Sequence, residues 1–408
     1  MNKWIQWCRE THQRCRKPKR SPLVQGLRLI DCSSRKIAIA SREIEYVALS
    51  YVWDPSASQT FVSLESGTSL PDALPQTIAD SIKITQALGF QYLWIDRYCI
   101  PQTAEETYQQ IRLMGAIFMN AQVTIVAAAG SDPSVGLPGA GYRGRNVQQQ
   151  AVAGHVIFCS TFPDAKFTIS KSSWMSRAWT YQEAVLSRRL IFFTDDQVYF
   201  ECLTSHCSES APLNFKACNS ESKQELRKSF ARGMFSLDAI EEHNKVELLE
   251  HVLIEYTKRT LSRSEDSLRA VLGILTLFGQ GRFPIHHIFG IPVLTALTAD
   301  QGFHFTSRRT SACHGFANLL LWRHVRPSYR RSSFPSWSWA GWEGELHSSR
   351  DGWMFRVNHD YFSFSKEKCD HTNVLVSFET CSCQYLSWET VSENLHKRSL
   401  NDSLTGVL

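Results

Sequence analysis

Three short runs of almost unbroken apolar, β-branched and aromatic residues, separated by stretches of helical spacing, constrain the fold of this chain more than any other feature. The first is Tyr46 to Val52 (YVALSYV), ended by the breaker Trp53-Asp54-Pro55; the second is Tyr92 to Ile95; the third is Val123 to Ala129 (VTIVAAA). Between the first two, Pro75 to Leu88 sets Ile78, Ile82 and Thr85 on one helical stripe and stops at Gly89, a natural left-handed cap. Between the second and third, Thr103-x-x-Glu106 reads as a capping box before a helix carrying Ile111, Met114 and Phe118. Strands apolar on both faces must be covered on both faces, and strands alternating with helices run parallel. The pattern predicts an α/β fold, a parallel sheet with helices on both sides.

After the third strand, Gly130 to Arg145 holds five glycines and two prolines and reads as a long loop of the kind that rims an active site. Val152 to Phe158 and Phe167 to Ser170 read as short extra strands, Met175 to Val185 as a helix, and Arg189 to Phe193 with Val198 to Cys202 as a strand pair. The polar, turn-rich Ser205 to Gln224 predicts a domain boundary. Beyond it come helical patterns over Val246 to Arg259 and Glu265 to Phe278, an apolar stretch around Phe316 to Trp322, and an alternating aromatic tail from Trp337. The expected organisation is a basic arm (1–30), an α/β domain (31–205) and a mixed helical and β region (206–408).

Charge narrows the function classes. The net charge is +5, yet Met1 to Arg20 holds seven basic residues against one acid, so the rest of the chain is close to neutral. A basic face tracking a nucleic acid is not indicated, because phosphate binding needs Lys and Arg clustered on the binding surface. RNA contact by the arm is a weak alternative. No apolar run reaches membrane-spanning length and the charged start lacks the core of a signal peptide, so a soluble, cytoplasmic protein with no membrane partner is expected. Twelve cysteines scattered from Cys8 to Cys383 fit reduced thiols better than a disulfide scaffold.

Metal-ligand spacing is weak. Cys8-x3-His12-x2-Cys15 offers three zinc ligands with Cys32 as a candidate fourth, but zinc cysteines usually come in tighter couplets, and a docked amphipathic helix is the preferred reading. Cys202-x4-Cys207 with His206, and Cys381-x-Cys383, lack a second couplet. No metal is expected, and no Gly-rich phosphate loop of dinucleotide-binding or Walker type occurs.

Several motifs occur in a telling order: Tyr46-Val-Ala-Leu-Ser50-Tyr51-Val-Trp53, Leu74-Pro75-x-Thr77-Ile78, Tyr92-Leu-Trp94-Ile95-Asp96-x-x-Cys99-Ile100-Pro-Gln102, Trp174-x-x-Arg177-Ala-Trp179-Thr-x-Gln182-Glu183, and Glu201-Cys202. Together they closely resemble the heterokaryon-incompatibility (HET) domain of filamentous fungi over about residues 31 to 205. Weaker likeness continues through Tyr256-x-x-Arg259-x-Leu261, Asp266-x-Leu268 and Pro335-Ser-Trp337-Ser-Trp339-Ala. Two departures put charge or bulk beside the site: Asp54 stands where a glycine is usual, and Arg97-Tyr98 replaces a small-plus-apolar pair. The resemblance implies a role in fungal non-self recognition and cell death, and a fold distantly similar to the Toll/interleukin receptor (TIR) domain, a flavodoxin-like sheet. Some TIR domains cleave NAD with a glutamate in a Trp-Cys-x-x-Glu setting, and Trp179-Thr-Tyr-Gln-Glu183 has the same offset from Trp to Glu.

In an open parallel sheet the ligand crevice lies beyond the carboxyl ends of the strands. That edge carries Ser50, Tyr51, Trp53 and Asp54 after the first strand, and Asp96, Arg97 and Cys99 after the second. For cleavage of the nicotinamide–ribose bond, Glu183 is the first candidate carboxylate and Asp96 the second. Trp53, Tyr51 and Trp179 supply faces for a cationic ring, and Arg97, Arg143 and Arg177 supply charge for a pyrophosphate. Structural readings stand beside these: Asp96 as a turn cap, Glu183 as a buried partner of Arg177, Trp174 and Trp179 as core, and Cys99 as a buried thiol unless His155 or His206 activates it. Three functions follow. The favoured one is an NAD-cleaving effector of cell death that needs no cofactor and takes NAD, or another anionic nucleotide, as substrate. The others are a self-associating signalling module working as a homo-oligomer, and a transferase using a nucleotide or aminoacyl-tRNA donor.

Overall fold

The structure, a computed structural model, describes residues 1–16, 24, 26–40, 44–53, 64–101, 104–210, 245–280, 284–294, 322–326, 328–347, 377–379 and 385–387. The chain divides into two compact units, Met1–Asp238 and Ala239–Leu408.

The first unit is built on an eight-stranded sheet. After helix α1 (Asn2–Thr11) and a tight helical turn (Gln13–Cys15) come β1 (Arg28–Asp31), β2 (Lys36–Ile39) and β3 (Tyr46–Ser50). Then follow α2 (Gln76–Ala87), β4 (Tyr92–Trp94), α3 (Asp96–Cys99), α4 (Ala104–Asn120) and β5 (Val123–Ala127). A hairpin of β6 (Gln150–Ala153) and β7 (Val156–Cys159) precedes α5 (Ala165–Ser170), α6 (Ala178–Leu186), β8 (Arg189–Phe193), β9 (Val198–Cys202) and β10 (His206–Ser208). The sheet order is β10-β9-β8-β5-β3-β4-β1-β2.

Its centre, β4-β3-β5-β8, is parallel, with Val47 opposite Leu93 and Val123, and Ile125 opposite Ile191. Every residue of β3, β5 and β8 is buried. Counted along the chain, these four strands stand in the order 2-1-3-4 of flavodoxin-like sheets. The step from β3 to β4 and the return past β3 to β5 run in opposite directions. Right-handed crossovers therefore place α2 on one face and α4 on the other. Helix α6 connects β5 to β8 in the same direction as α4 and packs against it. Trp94, fully buried, meets Phe118 of α4 edge-on at 5.3 Å between ring centres.

The sheet is mixed rather than purely parallel, because β1 and β2 on one side and β9 and β10 on the other add antiparallel edges. Two local expectations are corrected. Phe167 to Ser170 belongs to α5 rather than to a strand, because the Asp164 carboxylate caps it, accepting from the Lys166 (2.7 Å) and Phe167 (3.3 Å) amides. Val152 to Phe158 is a hairpin that reverses at Gly154 (φ +62°). The capping-box Thr103, Phe316 to Leu321 of the apolar stretch, and residues 211–224 of the expected boundary lie outside the described residues.

In the second unit α7 (Lys245–Thr257) and α8 (Arg269–Phe278) pack together, followed by the hairpin β11 (Ile285–Ile288) and β12 (Ile291–Leu294). Two further strand pairs are β13 (Tyr329–Arg330) with β14 (Trp342–Glu343), and β15 (Ser377–Glu379) with β16 (Tyr385–Ser387). The aromatic motif supplies its centre: buried Trp339 donates from its indole to Gly290 O (2.9 Å) and meets Tyr256, whose hydroxyl donates to Ser267 O (2.5 Å).

The glycine-rich loop after β5 is pinned to the first turns of α2. Thr77 N donates to Pro133 O (3.0 Å), Gly136 N to Thr77 Oγ1 (3.1 Å) and Leu137 N to the fully buried Asp80 carboxylate (3.0 Å). Gly136 (φ +80°) sits where a Cβ would lie 2.8 Å from Asp80, which explains glycine there. Removing the Asp80 acceptor strands the buried Leu137 amide. Asp80→Ala should therefore lower the stability of the first unit by about 1–3 kcal/mol in urea titration; an unchanged midpoint would show that the loop is not held this way.

Candidate active site

The carboxyl end of β3 delivers Ser50 to the centre of a buried hydrogen-bond chain. The Trp174 indole donates to Ser50 Oγ (2.7 Å), and Ser50 Oγ donates in turn to Glu183 Oε2. Because the hydroxyl already accepts from the indole, its own proton is directed at the carboxyl group. All three side chains are buried, Glu183 being 7% exposed. Helix α6 brings Glu183 there because its start is fastened: Thr180 Oγ1 bonds to Trp174 O (2.7 Å) and Arg177 O (2.8 Å), and Thr180 through Leu186 are buried.

Asp96 opens α3, directly after β4. One oxygen accepts from the Arg97 amide (2.7 Å) and the other from the Trp53 indole (2.8 Å). Arg177 donates to Trp53 O (3.4 Å). Tyr51 is buried beside Asp96, whose charged form its hydroxyl favours, and Arg97 Nε has no hydrogen-bond partner among the described residues. Arg97 also lies over the Tyr98 ring (6.0 Å).

These surroundings separate the two carboxyl groups. Burial pushes Glu183 up to about 8, the charge of Asp96 adds to the rise, and the Ser50 hydrogen bond and the Arg177 charge oppose it. Burial also raises Asp96, but only to about 6, because the Arg97 amide, the Trp53 indole and Arg177 favour its charged form. Asp96 itself is partly buried. At neutral pH the site therefore holds a neutral acid beside a largely ionised carboxylate, a division that supports proton transfer or stabilisation of a developing cation.

Of the residues singled out in the sequence, Ser50, Tyr51, Trp53, Asp96, Arg97, Arg177 and Glu183 come together. Ser50, expected to touch substrate, hydrogen-bonds to Glu183; Trp174, read as core, is buried and is the other end of that chain. The clue was their recurrence in the ordered motifs alongside Glu183. Trp179 is half-buried against the core. Cys99 is buried, its sulfur accepting from the Ile95 amide (3.5 Å), and burial pushes the thiol up to about 12, which leaves no thiolate at neutral pH. Arg143 is paired with Asp195. Asp54 lies outside the described residues. A second gathering, of Cys8, His12, Cys15 and Cys202, excludes Cys32, whose thiol faces Ile30 O at 4.0 Å.

The raised Glu183 pKa makes a stability prediction. The folded state holds a proton that the unfolded chain releases near pH 4.5, so the native state loses stability as pH rises from there through about 8. Glu183→Gln keeps an acceptor for Ser50 without ionising. Its Tm should exceed that of the wild type by a margin that widens from pH 5 to pH 8.5. A constant margin over that range would show that Glu183 titrates normally.

Residues 46–183 match the family described as Heterokaryon incompatibility protein (HET), a segment running from the start of β3 to Glu183 itself. No curated protein and no solved structure matches the chain. Its first unit thus carries a HET domain over residues 46–183.

Proposed function

We propose that the protein is a cytoplasmic cell-death effector of heterokaryon incompatibility that hydrolyses NAD at the nicotinamide–ribose bond. The observation that carries this reading is the Glu183 carboxyl group, fixed by Ser50 beside Asp96 at the carboxyl end of the parallel strands. The offset from Trp179 to Glu183, like that of NAD-cleaving TIR domains, supports it by analogy. In the reaction the C1′–N bond breaks and its electron pair leaves with nicotinamide. Water then adds to C1′ and its proton is released. The ribosyl cation forming between these events is stabilised by a nearby carboxylate. The positive charge of the bound nicotinamide ring favours ionisation of Glu183, while Trp53 and Tyr51 offer faces to the ring and Arg97 and Arg177 meet the pyrophosphate.

Purified protein at high concentration, incubated with NAD, should release nicotinamide, and Glu183→Ala should reduce the rate by about 100-fold or more. Since the acting form is the carboxylate, kcat/KM should rise with pH through a half-maximum near 8 and level off above it, following the Glu183 ionisation. A complete absence of nicotinamide from both monomer and oligomer would remove this reading.

A second reading, the self-associating module without catalysis, is favoured by the β6–β7 hairpin. All eight of its residues are exposed, among them Val152, Val156, Ile157 and Phe158. Such an apolar ribbon suits association with a further copy or partner. Under it, Glu183→Ala would keep full cell-death activity while Ile157→Asp would abolish it.

A further inference from the structure

The amino end of β8, where Arg189 stands, carries a different chemistry from the carboxyl end of β3 at Ser50. Cys8 lies in the last turns of α1, His12 caps that helix with its amide on Cys8 O, and the tight turn that follows brings Cys15 round beside them. The fourth member, Cys202, arrives from the end of β9, directly opposite Arg189 at the start of β8. One sulfur or ring nitrogen from each of the four lies within 4.8 Å of all the others, with Cys202 Sγ 3.3 Å from His12 Nδ1. Tetrahedral zinc, with bonds of about 2.3 Å to sulfur and about 2.0 Å to nitrogen, sets its ligand atoms roughly 3.5–3.8 Å apart. Four donors gathered this tightly from two distant parts of the chain need only small side-chain rotations to meet that geometry.

The surroundings are those of a charged centre. Arg189 Nε donates to Cys8 Sγ (3.1 Å), and the Ser205 amide donates to Cys202 Sγ (3.3 Å) across the β9–β10 turn. Arg188 and Arg189, both nearly fully buried, also bond to Cys15 O (3.4 and 3.0 Å). Their other hydrogen bonds among the described residues go to the carbonyls of Met119, Asn120, Ala121 and Gln122 at the end of α4. Carbonyl dipoles satisfy the N–H groups of a buried guanidinium without neutralising two positive charges. Three thiolates, a neutral imidazole and a divalent cation sum to one negative charge placed against them, and N–H donors to the sulfurs are the usual outer support of such a centre.

We propose that Cys8, His12, Cys15 and Cys202 form a structural zinc site that clamps the N-terminal helix to the amino edge of the sheet. The zinc stabilises the fold and takes no part in chemistry at Glu183, because four protein ligands leave no open position. The N-terminal arm is thereby an integral part of the first unit.

The test uses the full chain, expressed with zinc and purified under reducing conditions. Metal analysis should find about one zinc per chain. Cys202→Ser and Cys8→Ser should lose it, while Cys32→Ser and Cys159→Ser should retain it. Because a ligand variant that fails to fold also loses metal, the wild type stripped by a chelator is titrated separately with Co²⁺. Intense visible bands of tetrahedral cobalt, with thiolate-to-metal charge transfer at a one-to-one endpoint, are expected, as is a lower Tm for the stripped form. Background zinc in the reduced wild type, a pale octahedral cobalt spectrum, full zinc in Cys202→Ser, or a Cys8–Cys15 disulfide in freshly isolated protein would each overturn the proposal.

Discussion

Everything at the candidate site depends on one unfavourable burial: a carboxyl group placed where the parallel strands end and water is largely excluded. Glu183 survives there because Ser50 donates to it and Trp174 orients Ser50. That requirement couples three elements. Strand β3 must end at Ser50, the turn before α6 must present Trp174, and α6 must carry Glu183 inward. A carboxyl group this enclosed holds its proton at neutral pH, so the electrostatics of the site and the stability of the fold are the same problem viewed at different scales.

The first unit positions this group with a flavodoxin-like parallel centre and finishes both sides with antiparallel strands. Those edges serve different ends. The β1–β2 pair simply extends the sheet beside β4. The β9–β10 pair carries Cys202 to the opposite edge of the sheet from Ser50, where the thiols of α1 meet two buried arginines. The candidate site and the proposed zinc site thus lie at opposite ends of the parallel strands.

Much of this was legible in the sequence because burial on both faces leaves an unmistakable trace. Tyr46 to Val52, Tyr92 to Ile95 and Val123 to Ala129 are apolar without alternation, and the sheet places them side by side. Phe167 to Ser170 misled because its β-forming residues stand in a short helix that the Asp164 cap starts, with Ile169 buried and Phe167 exposed. At the site, the ordered motifs named the residues that converge, but not who touches whom: that Ser50 serves Glu183 depends on a crossover bringing positions 133 residues apart together. For the same reason spacing pointed to Cys32 as a companion of Cys8, His12 and Cys15, whereas the strand register selects Cys202. The excess positive charge of the N-terminus accompanies a helix whose Ile5 and Cys8 are buried in the core, the docked amphipathic helix that the spacing suggested.

The protonation state of one side chain decides whether the site is built this way. Infrared difference spectroscopy of wild type against Glu183→Gln reads it without reference to activity or folding. A carbonyl stretch of a neutral carboxylic acid should be present at pH 6.5, fade with a midpoint near 8, and be missing from the Gln variant. If the wild type instead shows only ionised carboxylate at pH 6.5, Glu183 is not enclosed as described, and the site built around it fails.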